Sequence, residues 1–504
     1  MRQFIALALT FVLIIVTGGC QQTTSVRRID TNKVRNPDKE HLVGITTVAG
    51  EEIAFDQPPG GWVAGTTVRG NVRGKPYQAE LKDVQRLWVE KRHMSELAKI
   101  GIVAGIVLVG LVVTAVVIAA TKGSCPFVYS WDGERYVFDA EPYGGAIAKG
   151  LERDDYAPLE HLRERDGYYH LLLTNEVDET QYTNLMELWV ADHPRGTRVT
   201  AADDGVLRTM AEPLAPVAAR DRAGVDLLRW LAGRDRLIWE PPCEPATDGA
   251  TREEIVLTFP KPAGAREAKF EANTATSLWG SYMVRQMQAL HGRLIPAWQH
   301  RMDTDPQARE ELHAWGLREG IFAIPVEVEE DAGWVARGVL RGSGPVMAPA
   351  RVIALDVSRA RGPQLHIRLR PAIGYWAFNS FAVDYTPDEP VTVTRVAPSS
   401  ARDSQGRNVL AELAAADESW NTMPAIGDRI EIAYPVPPAR AGLERAVFLH
   451  SRGYYRLHMP ETAEPDSAVL ERLRDEPGAA VRFAADRYAE WKRQGGFRPA
   501  PPVR

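Results

Sequence analysis

Residues 100–120 read IGIVAGIVLVGLVVTAVVIAA, 21 residues without a charge. As a helix rising about 1.5 Å per residue, such a run covers about 30 Å, the thickness of a bilayer's hydrocarbon core. Lys91, Arg92 and Lys99 precede it and Lys122 follows it. The segment is read as a transmembrane helix, and it splits the chain into a small domain before it and a large one after it. Gly101, Gly105 and Gly110 add a small-residue pattern through which two such helices could approach and self-associate.

A second apolar run lies at the N-terminus. Arg2 is followed by Phe4 to Val16, interrupted only by Thr10, and then by Thr17-Gly18-Gly19-Cys20. The run is short for a span and suits the apolar core of a signal peptide over residues 1–19. Small residues ahead of Cys20 resemble a bacterial lipobox, which implies lipidation of the Cys20 thiol; an uncleaved signal anchor is the alternative. Residues 20–40, in which Cys20 is followed by Gln21, Gln22 and Thr23, read as a polar tether.

Sidedness stays open. A cleaved signal followed by one span would leave the large domain in the cytoplasm. Yet residues 21–99 are rich in Lys and Arg while the stretch after Lys122 is acidic, and the positive-inside rule then points the other way.

Composition narrows the classes. The chain has 504 residues, 45% of them hydrophobic and 25% charged, with a net charge of −6. That composition can bury real cores and argues against a nucleic-acid partner. Three cysteines, Cys20, Cys125 and Cys243, exclude a disulfide-dense scaffold, and the lack of any C-x2-C pair excludes a zinc site built on one. Whether Cys125 pairs with Cys243 is left open.

Residues 41–92 hold short β patterns at His41–Thr47, Glu52–Phe55, Trp62–Arg69, Pro76–Leu81 and Val84–Glu90, punctuated by Gly and Pro. Five strands in so short a stretch suggest a small barrel of SH3-like or Sm-like type.

The large region opens with aromatic runs on either side of Asp132-Gly133, the signature of a tight hairpin. Strands are expected at Tyr168–Thr174, Leu185–Ala191 and Ile255–Phe259. A helical insert is expected over residues 271–320, where Leu278, Tyr282, Met283, Met287 and Leu290 recur at helical spacing. Further strands follow at Phe322–Val328, Trp334–Leu340, Gln364–Arg370, Tyr375–Tyr385, Val391–Val396, Ile430–Tyr434 and Ala446–Leu449. Residues 461–504 read as two helices, Ser467–Asp475 and Ala479–Arg493, and a Pro-rich tail. The fold class is mainly β with a helical insert. A split near residue 270 or 320 gives a β-rich domain over 126–270 and a β-sandwich-like domain over 321–460.

The segment from Cys125 to Tyr136, CPFVYSWDGERY, resembles a family of uncharacterised bacterial envelope lipoproteins. Asn175 to Tyr182 and Leu449 to Tyr455 fit the same resemblance. The hairpin is also similar to segments of secreted proteins with FG-GAP and ASPIC/UnbV modules. The resemblance implies a location in the cell envelope and favours an extracytoplasmic large domain; it implies no activity.

Chemistry-bearing patterns are sparse. Acidic residues crowd positions 132–179, but the loop spacing of an EF-hand calcium site is missing, so a solvated face is the plainer reading. No H-E-x-x-H, nucleophile elbow or P-loop occurs, and no cofactor or metal is implied. Two aromatic–polar groups are the candidate ligand contacts: Tyr375, Trp376, Asn379 and Asp384, and Arg452 with Tyr454. Large rings also fill sandwich cores, and the alternation across Tyr375–Tyr385 turns half of them inward. The sequence therefore reads as a membrane-anchored, non-enzymatic envelope lipoprotein that binds a protein or glycan. A carboxylate-dependent hydrolase of envelope polymers and a transmembrane signalling adaptor are the alternatives.

Overall fold

The computed structural model describes residues 23–33, 42–56, 60–93, 126–235, 237–245 and 248–494. The fold is mainly β and divides into two compact units, one within residues 1–114 and one within 115–504. The expected signal peptide, Cys20, the span at 100–120 with Gly101, Gly105 and Gly110, and Cys125 all lie outside the described residues. Among the described residues, no helix is long and apolar enough to cross a membrane.

The first unit has β1 (Thr23–Asp30), β2 (Leu42–Thr47), β3 (Glu52–Ala54), β4 (Trp62–Ala64), β5 (Thr67–Val72), β6 (Lys75–Glu80) and β7 (Val84–His93). They form two sheets, ordered β1-β7-β2-β3 and β4-β5-β6, around Leu42, Ile45, Phe55, Val68, Leu87 and Val89. The run expected as one strand at Trp62–Arg69 is a hairpin turning at Gly65, whose φ of +63° suits glycine. Within residues 20–40, expected as a tether, Thr23–Asp30 is a strand. Thr23–Asp30 pairs along its whole length with β7, from Thr23 opposite His93 to Asp30 opposite Arg86. Val26 and Ile29 are too few apolar residues to announce a strand, and the long partner β7 supplies the pairing that local sequence does not.

The second unit begins with β8 (Phe127–Trp131), β9 (Tyr136–Ala140), β10 (Arg153–Pro158), β11 (Glu164–Arg165), β12 (Tyr168–Thr174) and β13 (Glu179–Pro194). A hairpin follows, β14 (Arg198–Ala201) and β15 (Leu207–Met210). Next come β16 (Ala218–Arg220), helix α1 (Leu228–Leu231), β17 (Ile255–Pro260) and β18 (Glu267–Thr276). Three helices come after these: α2 (Leu278–Ala289), α3 (Ile295–Thr304) and α4 (Pro306–Glu319). Then come β19 (Ala323–Glu330), β20 (Gly333–Arg341), β21 (Ala350–Asp356), β22 (Gln364–Leu369) and β23 (Trp376–Asp384). The chain returns with β24 (Thr392–Val396), β25 (Ser400–Asp403), β26 (Asn421–Met423), β27 (Arg429–Pro435) and β28 (Leu443–Leu457), and ends in α5 (Ser467–Asp475) and α6 (Ala479–Arg493).

These strands build two sandwiches, one nested inside the other. The outer sandwich pairs a sheet ordered β10-β28-β13-β24 with a second ordered β25-β27-β12-β8-β9. Between them lie Val128, Leu171, Leu173, Met186, Leu188, Val190, Ile430, Ile432, Tyr434 and Leu449. The inserted sandwich, from β16 to β23, pairs β16-β17-β22-β19-β20 with β21-β18-β23 around Leu257, Phe259, Phe270, Phe378, Phe381 and Ile367. Helix α2 and the C-terminal helices pack on this second core through Met283, Leu473, Ala480 and Val481. The expected division into 126–270 and 321–460 therefore gives way to an insertion between β13 and β24. The helical insert starts at residue 278, because residues 271–276 belong to β18. Its boundaries follow capping chemistry: Ser277 accepts from the Gly280 N–H, Asp305 caps α4 ahead of Pro306, and Gly320 ends α4 at φ +70°.

Where the sandwiches meet, the contact is polar. Arg351 of β21 donates to Asp155 of β10 at 3.2 Å and to Asp203 at 2.7 Å. Arg198 and Thr200 of β14 both bond Glu271 of β18, at 2.6 and 2.8 Å. Buried charges are tolerated here because each has an opposite charge or a hydrogen bond to hold it.

Candidate ligand-binding face

The sheet β25-β27-β12-β8-β9 has one face on the outer core and one face toward solvent. Strand β12 shows the alternation: Tyr169, Leu171 and Leu173 are buried, while Tyr168, His170, Leu172 and Thr174 point out. On β8 the inward phase is Val128 and Ser130, so Tyr129 and Trp131 take the outward phase. Across the pairing with β9, Tyr129 lies opposite Phe138 and Trp131 opposite Tyr136. The turn between the two strands is fixed by Asp132, whose carboxylate accepts from the Glu134 and Arg135 N–H groups at 2.8 and 2.9 Å, with Gly133 at φ +107°. Those backbone donors hold the Asp132 carboxyl below its usual range.

The outcome is an aromatic face with polar neighbours. Trp131 and Tyr136 meet edge to face at 5.5 Å, and Tyr129 and Phe138 lie 5.6 Å apart. Tyr168 neighbours His170 at 6.4 Å. Tyr136 and Tyr168 are 36% and 43% exposed, large fractions for rings of this size. The Arg165 guanidinium sits 5.0 Å from the centre of the Trp131 ring. Tyr129 donates from its hydroxyl to Glu176 at 2.5 Å, and Thr174 donates to the same carboxylate at 2.8 Å. Burial and that bond to Glu176 push the Tyr129 phenol well above its ordinary value. Partial burial, with the Glu431 charge, raises Tyr136 as well, while Arg165 acts in the opposite sense. Both phenols therefore stay protonated, as hydrogen-bond donors, throughout the neutral range.

The ligand contacts expected from sequence are not brought together. Tyr375 and Trp376 are fully buried, and the Trp376 indole N–H donates to the Gly320 carbonyl at 2.7 Å. Asn379 donates to Asn273 at 2.8 Å within the inserted sandwich. Asp384 is buried at the end of β23, accepting from the Glu212 and Thr386 N–H groups. These four residues fill and brace a core, the alternative already open to them. Arg452 and Tyr454 belong to the outer sandwich. Tyr454 stacks on Tyr182 at 4.5 Å and is buried.

Arg452 joins a chain of ion pairs on the face of β10, β28 and β13 that turns away from the outer core. It donates to Glu152 at 3.2 Å and to Asp154 at 3.0 Å. His450 lies between Asp154 and Glu187, at 2.9 and 3.3 Å. The Trp420 and Trp189 indoles each donate to an end carboxylate, Glu152 and Glu187, at 2.7 Å. Every carboxylate in this row is held by a cation, a histidine or an indole. A hydrolase needs one carboxyl free to carry a proton and another free to attack or to activate water. Among the described residues, no cluster of three or more His, Cys, Asp or Glu side chains has the geometry to hold a metal ion.

Sequence reasoning passed over Tyr129, Trp131, Tyr136, Phe138 and Tyr168 as a face, although the signal was there. In Phe127-Val128-Tyr129-Ser130-Trp131 the rings occupy the phase opposite Val128, and of them Tyr129 and Trp131 are partly exposed while Phe127 is buried.

No family model matches the chain, and no curated protein matches it. Among solved structures, the crystal structure of a GH31 alpha-xylosidase from Xanthomonas citri aligns over 78% of this chain and 34% of its own, at 9% identity and a TM-score of 0.16. The chain spans about a third of that enzyme's length, and a likeness this faint carries no argument.

Proposed function

We propose that the chain is a membrane-anchored protein of the bacterial cell envelope that binds a glycan through the aromatic face of its outer sandwich and performs no chemistry on it. The anchor part of this reading rests on residues 1–20 and 100–120 of the sequence: a signal peptide ending at a lipidated Cys20, and one span. The small unit, with seven strands among its described residues around one core, supports an SH3-like or Sm-like barrel placed before that span.

One observation carries the ligand part: Trp131, Tyr136 and Tyr168 stand outward on an open sheet beside Arg165 and His170. Sugar rings present an apolar face of C–H groups and a rim of hydroxyls. Indole and phenol rings cover the first, while Tyr hydroxyls, a guanidinium and an imidazole bond the second. A protein partner is the other class that Tyr, Trp and Arg attract. The glycan is favoured because the outward rings are interleaved with hydrogen-bonding groups rather than gathered around aliphatic anchors.

The test is a titration of the full chain in detergent with soluble envelope oligosaccharides, followed by tryptophan fluorescence. A saturable change that disappears in Trp131→Ala and Tyr136→Ala, with unchanged circular dichroism and no cleaved sugar, is the expected result. No response to any glycan, together with ring-dependent cross-linking to an envelope protein, would transfer the face to a protein partner.

A further inference from the structure

We propose that Lys269 and Asp384 condense to an intramolecular isopeptide bond, a covalent cross-link between β18 and β23 of the inserted sandwich. This inference is independent of the ligand of the aromatic face.

The two residues are directly opposite each other in the antiparallel register. Both are buried, Lys269 at 3% exposure and Asp384 at 0%, and the Lys269 Nζ lies 3.8 Å from Asp384 Oδ1. A lysine and an aspartate shut away from water, side by side on neighbouring strands, can condense to an amide with the loss of one water when proton-transfer groups stand beside them. The amide needs no counter-charge, whereas the ion pair must carry the desolvation of both charges.

The groups around the pair suit the reaction. Asp384 Oδ2 accepts from the Glu212 N–H at 2.9 Å, and Oδ1 accepts from the Thr386 N–H at 2.6 Å, so backbone donors already point at the carboxyl oxygens on which charge gathers when its carbon is attacked. The Thr386 hydroxyl donates to Oδ1 at 2.5 Å and accepts from Lys269 Nζ at 3.5 Å, bridging nucleophile and departing oxygen. Asp388 lies 3.4 Å from Nζ, which also donates to the Thr209 carbonyl.

The step balances within these side chains. Asp388 takes one proton from the Lys269 ammonium, and the freed nitrogen pair attacks Asp384 Cγ, forming the C–N bond. In the tetrahedral intermediate the nitrogen gives up a second proton, relayed through the Thr386 hydroxyl to Oδ1, and Asp388 returns the first to the same oxygen. The C–Oδ1 bond breaks, water leaves, and an amide with one N–H remains. No oxidant, cofactor or external reactant takes part.

The experiment is peptide mapping of the purified full chain after denaturing digestion. The peptides holding Lys269 and Asp384 are expected to be joined, at the sum of their masses less one water. Lys269→Arg, which keeps the cation, and Asp384→Ala are expected to release them as separate peptides. Asp388→Asn is expected to lower the joined fraction at least tenfold, with circular dichroism unchanged. Two separate peptides at full mass from the wild-type chain would overturn the proposal and leave an ion pair only; this outcome is readable even if the variants fail to fold. An undiminished joined fraction in Asp388→Asn would overturn the proton path through Asp388.

Discussion

Each sandwich turns one sheet toward solvent, and the two solvent faces differ in kind. On the inserted sandwich, the outward residues of β17, β22 and β19 form rows such as Val256–Arg368–Glu327 and Thr258–His366. Arg368 donates to Glu327 at 2.8 Å and covers the Trp334 ring at 4.7 Å, and Thr258 bonds His366 at 3.1 Å. Such a face completes itself: its charges and its one large ring find partners within it. On the outer sandwich, the corresponding phase of β8, β9 and β12 is aromatic, and Tyr136 and Tyr168 keep over a third of their surface open. The inserted sandwich, conversely, keeps its phenylalanines inside, with Phe270 stacked on Phe381 at 5.5 Å and Phe378 beside them. One chain thus uses the same residue class for cohesion in one sandwich and for presentation in the other. A face left incomplete in this way marks a binding surface more reliably than a count of aromatic residues does.

The comparison can be broken most forcefully from the core side. Phe381→Ala removes a ring that is 2% exposed, and it should lower unfolding stability by about 3–5 kcal/mol, measured by denaturant titration. The same truncation at Tyr136 should cost under about 1 kcal/mol of stability. Equal losses at the two positions would show that the outer face is as structural as the inner core.

Binding should give the mirror image. Trp131→Ala or Tyr136→Ala is expected to weaken glycan affinity by about 2 kcal/mol, roughly thirtyfold, as central aromatic contacts do. Phe381→Ala protein that remains folded should bind as wild type. On the other solvent face, Arg368→Ala removes two ion pairs, with Glu327 and Glu254, and a ring contact. It should cost about 1 kcal/mol of stability or less and leave glycan titration unchanged. A binding loss in Arg368→Ala would erase the distinction between the faces.

Much of this was legible along the chain, and the rest was hidden for physical reasons. Strands with a strong single phase, such as Tyr168–Thr174, and capped helices, such as Ser467–Asp475, matched expectation to the residue because their signals are local. The long strands β13 and β28, of 16 and 15 residues, were recognised only in their apolar middles. Outside those stretches the strands carry Asp192, Arg445, His450 and Arg452, which look like loop residues until the partner strand is known. The nesting depends on pairing Glu179–Pro194 with Leu443–Leu457, across the whole inserted sandwich, and no local pattern encodes so distant a partner. The candidate site was half legible: its residues were noted as a hairpin, but their shared face requires β12 beside β8.

The smallest expected effect tests how closed the inserted sandwich is beside its helices. Cys243 lies half-buried against Gly374, and burial, with help from the Glu240 and Glu244 charges, pushes its thiol up to about 12. An unperturbed thiol titrates near 8.5, so the folded state favours the neutral form. The sign follows from that: the contribution is complete below about pH 8.5 and is lost progressively as pH rises toward 12, because the unfolded chain sheds this proton first. Denaturant midpoints measured between pH 7 and 10 should fall slightly more in the wild type than in Cys243→Ser, which has no thiol to ionise. Since the thiolate is the reactive species, alkylation of Cys243 at pH 7 should be slow in the folded chain and fast after unfolding. Rapid labelling of the folded protein would mean that the joint around Gly374 opens readily, and the inserted sandwich would then no longer be the closed half of the comparison.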